Sequence, residues 1–89
     1  MTLAPKLLVI DDEPAIRRLL GAALTRGGYR VVEAASAREA LSAVQIDKPE
    51  AVLLDLGLPD RDGLELVPLI KAAGAAVVVV SARDATDQK

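Results

Sequence analysis

The sequence predicts an α/β domain built on an open parallel sheet with helices on both faces. Three observations point there. Apolar strand-like runs alternate with helical patterns along the whole chain, giving three strand-helix units and a fourth strand. The runs are almost free of polar residues, which fits strands covered on both sides better than a half-wet antiparallel sheet. Polar residues follow at the strand ends: Asp11 and Asp12 after the first, Asp55 after the third and Ser81 after the fourth.

The first strand spans residues 6–10. Asp12 is placed to cap a helix that begins with Glu13 and Pro14, since proline is tolerated and acids are favoured in a first turn. Ile16, Leu19, Leu20, Ala23 and Leu24 fall at helical spacing as its inward stripe, Arg17 and Arg18 belong to the wet face, and Gly27 and Gly28 stop it. Residues 29–34 form a second strand. Ser36 and Glu39 match a capping box opening a helix with Ala37, Ala40, Leu41 and Val44 inward, and Pro49 ends the connection that follows. The third strand is 51–54. Residues 56–63, "LGLPDRDG", are dense in turn formers and make a loop. A third helix over about 64–73 puts Leu66, Leu69 and Ile70 inward; Pro68, past the first turn, kinks or shortens it, and Gly74 closes it. Residues 76–80 are the fourth strand.

At 89 residues the chain, 1–89, makes a single domain. That length is near the lower limit for a self-sufficient core, with roughly 60 to 65% of the unfolded chain's surface buried. The 52% hydrophobic content is almost wholly Ala, Val, Leu and Ile, with Tyr29 the one aromatic residue, which argues against a base-stacking surface. A net charge of -2, from 11 basic and 13 acidic residues spread along the chain, leaves no basic stripe for nucleic acid or membrane. With neither Cys nor His, disulfides, the usual zinc sites and Ser-His nucleophile activation are excluded, and any metal must be held by oxygen. No leader pattern opens the sequence, and its longest apolar run, 75–80, is too short to span a bilayer; a soluble cytoplasmic protein is expected.

In an open parallel sheet the carboxyl ends of the strands share one edge, and ligands bind there. Asp11, Asp12, Asp55 and Ser81 therefore meet. Singly, Asp12 is a helix cap, Asp55 a loop-starting carboxylate and Ser81 a capping hydroxyl; capping does not explain all of them at the ends of three strands. Converging carboxylates repel one another, and a divalent cation ringed by oxygens removes the repulsion. Mg2+ suits this set because it takes few protein ligands and keeps water and phosphate oxygens for the rest. Glu13 stays a first-turn residue.

Three segments, "LLVIDDEPAIRRLL", "AVLLDLGLPDRDGLEL" and "VVVVSARD", resemble the receiver domain of bacterial two-component response regulators, in order and with normal spacing through the whole chain. The resemblance implies a flavodoxin-like sheet of order 2-1-3-4, in which a fifth strand and the last helices are missing. It makes Asp55 the phosphoacceptor for a sensor histidine kinase, with Mg2+ on Asp11, Asp12, Asp55 and the backbone carbonyl of Gly57. Ser81 and Ala82 become the switch that binds the phosphoryl group, while Pro59 and Gly63 shape the loop. Such a domain is a switch that catalyses its own phosphorylation rather than a turnover enzyme, and it controls a DNA-binding output domain absent from this chain. The wording "DLGLPDRDGLEL" with "SARD" is similar to winged-helix regulators, especially those of potassium-transport operons.

Receivers also carry a Lys at the end of a fifth strand. None here fills that place: Lys6, Lys48 and Lys71 lie at the wrong ends of their elements. Lys89 is too close to the fourth strand for a crossover of at least ~10 to 12 residues. The expected result is a truncated receiver whose edge, 77–80, is exposed and prone to self-association or domain swapping. The alternative function is a phosphate-independent interaction or dimerisation module with the same fold. A Mg2+-dependent phosphohydrolase is disfavoured because Gly57 stands where its second Asp would be, and a dinucleotide site because no G-x-G-x-x-G follows the first strand.

Overall fold

The structure is a computed structural model that describes residues 4–80. Four strands, β1 (Lys6–Ile10), β2 (Arg30–Ala34), β3 (Ala51–Leu54) and β4 (Ala76–Val79), alternate with helices α1 (Pro14–Arg26), α2 (Ala37–Asp47) and α3 (Leu66–Ala72). All pairings are parallel and the sheet order is β2-β1-β3-β4, as predicted. Among the described residues no helix is long and apolar enough to cross a membrane.

Strand alternation divides the apolar residues between two faces. On one, Leu8, Ile10, Val52 and Leu54 pack with Ala37, Ala40 and Val44 of α2 and Leu66 and Ile70 of α3. On the other, Leu7 and Val9 are buried and α1 lies across β1 and β2. That contact is close: a Cβ on buried Gly21 would sit 3.2 Å from Glu33 Oε2 and 3.5 Å from Val31 Cγ1.

Helix α1 departs from its predicted orientation. Leu20 and Leu24 are half-buried, but Ile16 is 44% and Leu19 64% exposed, and Ala23 is exposed too. Arg17, expected on the wet face, turns inward with its side chain only 16% exposed. The apolar stripe is wider than the strip of sheet beneath it, so one flank has no cover among the described residues. Asp12 is not the N-cap residue of this helix. The N-cap is Glu13, without a side-chain cap bond, and its N–H donates to Asp11 Oδ1 at 2.9 Å.

The α2 cap forms nearly as expected. Ser36 Oγ accepts from Glu39 N–H at 3.2 Å, while the Glu39 carboxylate reaches the N–H of Ala35, one residue before the cap, at 2.8 Å. The third helix is split. A 3-10 turn covers Gly63–Glu65, capped by Asp62 Oδ1 on Leu64 N–H at 3.0 Å, and α3 begins at Leu66. Pro68 thus falls within the first turn of α3, where its missing N–H has no intrahelical acceptor to lose. Leu69, expected inward, is 45% exposed; Leu66 and Ile70 are the helix's fully buried residues, with Val67 partly buried beside them.

Lys6 opens β1 and lies 3.6 Å from Asp47, Lys48 caps the end of α2 with φ 49°, and Lys71 is in the last turn of α3. All three stand where strands begin. Lys89 lies outside the described residues.

Candidate functional site

Ile10 and Leu54 are register partners on neighbouring parallel strands, so Asp11 and Asp55 leave the sheet side by side. The ladder holds both backbones one residue past the strands: Asp11 N–H donates to Ala34 O at 3.1 Å and Asp55 N–H to Ile10 O at 3.0 Å. Each carboxylate then ties down the turn that follows it. Asp11 Oδ1 accepts from Glu13 N–H, and Asp55 Oδ1 accepts from Gly57 N–H at 3.1 Å.

Asp12 joins them from the start of the β1–α1 turn. One carboxylate oxygen from each of Asp11, Asp12 and Asp55 lies within 4.8 Å of the others. Asp11 is 5% and Asp55 1% exposed, while Asp12 is half-buried. Two unit charges about 5 Å apart repel by roughly 3 kcal/mol at an effective dielectric of about 20. Repulsion between converging carboxylates is relieved by a positive counterpart. A hard divalent cation is the counterpart this set fits, since every side-chain donor is a carboxylate oxygen.

Of the other residues singled out from the sequence, Gly57 and Pro59 are exposed on the loop and Gly63 is buried at its end. Gly63 N–H donates to Leu56 O at 3.0 Å, closing the loop at its base. Ser81 and Ala82 lie outside the described residues. Val80 N–H donates to Leu54 O at 3.0 Å, which brings β4 to the same edge.

Arg17, placed on a wet face from the sequence, and Asp60 both have structural partners. Arg17 binds the Asp11 carbonyl and the Glu33 carboxylate. Asp60, at the loop tip, accepts from the N–H groups of Ala37 at 2.9 Å and Arg38 at 3.0 Å, fastening the loop to the start of α2. A turn-rich loop gives no local sign of this, because the partners lie more than twenty residues away.

The bond from Ala37 N–H is the main reason the Asp60 carboxyl is held below its ordinary pKa; desolvation opposes it, and the Arg38 N–H and the Arg61 charge assist. A depressed folded-state pKa adds stability above the unfolded value, near 3.9, that fades as pH falls through the folded value. Asp60→Ala is therefore expected to lower the melting temperature at neutral pH, with the gap from the parent chain narrowing below about pH 4. An equal gap at every pH, measured by circular dichroism, would show that the ionised carboxylate contributes nothing.

Comparison with known proteins agrees with this geometry. The response regulator receiver domain profile matches residues 7–89. The chain is 48% identical over 79 residues to the transcriptional regulatory protein KdpE of Staphylococcus aureus, covering 88% of this chain and 34% of that protein. It is 42% identical over 84 residues to the KDP operon transcriptional regulatory protein KdpE of Escherichia coli, covering 93% and 37%. It thus spans about a third of the length of these curated relatives. Among solved structures, a response regulator from Burkholderia pseudomallei with a phosphorylated aspartic acid, calcium ion and citrate superposes with a TM-score of 0.83 at 31% identity, over 88% of this chain and 47% of that one. The Thermotoga maritima response regulator TrrA, in complex with Mg2+ and BeF, gives 0.83 at 32% identity, over 94% and 76%.

Proposed function

Because the chain belongs to the response regulator receiver domain family, we propose that it is a phosphorylation switch in which Asp55 accepts a phosphoryl group from a sensor histidine kinase. The observation that carries this reading is the convergence of Asp11, Asp12 and Asp55 at the ends of β1 and β3.

Asp55 is the nucleophile in this scheme. Its carboxylate oxygen forms a bond to phosphorus as the bond from phosphorus to the kinase imidazole breaks, and the imidazole nitrogen takes a proton. The turn bond from Gly57 N–H to Oδ1 helps to fix the carboxylate. Asp11, Asp12, Asp55 and the Gly57 carbonyl would hold Mg2+, which when bound neutralises charge on the transferring group. The same site takes Mg2+ in preference to the calcium seen in one relative because few protein ligands are offered. The product is an acyl phosphate. Ser81 and Ala82 are assigned the phosphoryl-binding role, and Pro59 and Gly63 hold the loop in shape. The domain modifies itself and does not turn over a substrate; it acts in the cytoplasm and governs a DNA-binding output.

The test is intact-mass measurement after incubation with Mg2+ and a small acyl-phosphate donor. Gain of one phosphoryl group, dependent on Mg2+, is the expected outcome. No adduct would favour a phosphate-independent module, and rapid multiple turnover a hydrolase.

A second property concerns β4, the outer strand of the described sheet. Val78 and Val79 are 51% and 47% exposed on it. An exposed apolar edge pairs readily with another chain, and we infer that copies of this chain associate through it. Val78→Lys is expected to shift sedimentation from dimer toward monomer; an unaltered profile would move the contact elsewhere or remove it.

A further inference from the structure

We propose that Arg17 is a positioning residue for the cation seat: its guanidinium holds the Asp11–Asp12 turn in the shape that brings their carboxylates to Asp55. The proposal rests on the reading of that cluster as a cation site.

Arg17 Nη1 donates to the backbone carbonyl of Asp11 at 2.8 Å, and Nε donates to Glu33 Oε1 at 3.1 Å. The Asp11 carbonyl belongs to the peptide unit joining the two adjacent acids, so a bond to it sets the direction in which Asp12 leaves. The side chain is only 16% exposed, well packed for an arginine on a helix surface. Its origin is secured as well, because Arg17 N–H donates to Glu13 O at 2.9 Å in the first turn of α1. Gly21, one turn further on, lets the helix lie close enough to Glu33 for the planar fork to span both partners. The turn is thus held from the inside by Glu13 N–H on Asp11 Oδ1 and from the outside by the guanidinium.

Position and charge make opposite predictions here. A guanidinium beside a cation seat repels the incoming ion, so if charge were all that mattered, its removal would tighten binding. If Arg17 orients the ligands, its removal weakens binding, and a lysine that keeps the charge but cannot span both acceptors restores only part of the loss. Removing a partner that orients metal ligands typically weakens affinity at least about 10-fold.

The experiment compares the 89-residue chain with Arg17→Met and Arg17→Lys. It reads Mg2+ and Mn2+ affinity by calorimetry and, without metal, exchange of the Glu13 amide by NMR. We expect about 10-fold weaker binding for Arg17→Met, an intermediate loss for Arg17→Lys, and faster Glu13 exchange in both. Tighter binding in Arg17→Met overturns the proposal in favour of simple repulsion. A lowered melting point with unchanged affinity and unchanged Glu13 exchange overturns it in favour of a scaffold role. Absence of cation binding by the parent chain overturns the site reading itself, and the proposal with it, a result distinguishable because no variant is involved.

Discussion

Asp55→Asn is expected to abolish the phosphoryl adduct entirely while leaving the fold in place. The amide is nearly isosteric with the carboxylate, and its oxygen still accepts the Gly57 N–H bond now made by Asp55 Oδ1. What it lacks is the negative charge that makes the oxygen a nucleophile. Removing that charge from a residue only 1% exposed, beside Asp11 and Asp12, also relieves repulsion. With saturating Mg2+ the parent gains stability by ligand linkage, about 2.7 kcal/mol at a hundredfold excess over Kd; the variant should gain less. Mass spectrometry and melting curves read both halves. An adduct retained in Asp55→Asn would move the chemistry to another carboxylate and sink the assignment.

Gly63→Ala should cost substantial stability. A Cβ there would lie 2.7 Å from Leu56 Cα and 2.8 Å from the Asp55 carbonyl oxygen, both backbone atoms that cannot rotate away. The chain must shift, and overpacking of this kind costs about 1 to 3 kcal/mol or more. In a domain of this size each kcal/mol lowers the melting temperature by roughly 4 to 8 °C. The displaced atoms belong to Asp55 and its successor, so adduct yield should fall even below the melting range. A variant that melts and labels like the parent would show that the loop base yields freely.

Much of this was open to reading from the chain because the informative signals are local. Three apolar runs stopped by polar residues mark strands, and the strand order implied by the family resemblance sets the first and third side by side, which brings Asp11 and Asp55 together. Ser36 and Glu39 announce their helix in four residues. The facing of α1 was not legible in the same way. Its apolar positions form a stripe broad enough for several rotations, and the choice is made by a guanidinium finding Asp11 and Glu33. The Asp60 bonds were not legible because their partners are remote in sequence, and Leu69 was misplaced because Leu66 and Ile70, with Val67 beside them, take up the inward face of so short a helix. Pro68 makes sense once the preceding 3-10 turn is seen.

The two strands that deliver the acids, β1 and β3, are the inner pair of the described sheet, with a neighbour on each side. Their amides are the ones that open only when the whole domain does, unlike those of peripheral loops. The constellation consequently has no private route to disassembly. Heat or denaturant should extinguish ion capture and tertiary order as one cooperative event, with no stage at which the scaffold outlives its chemistry.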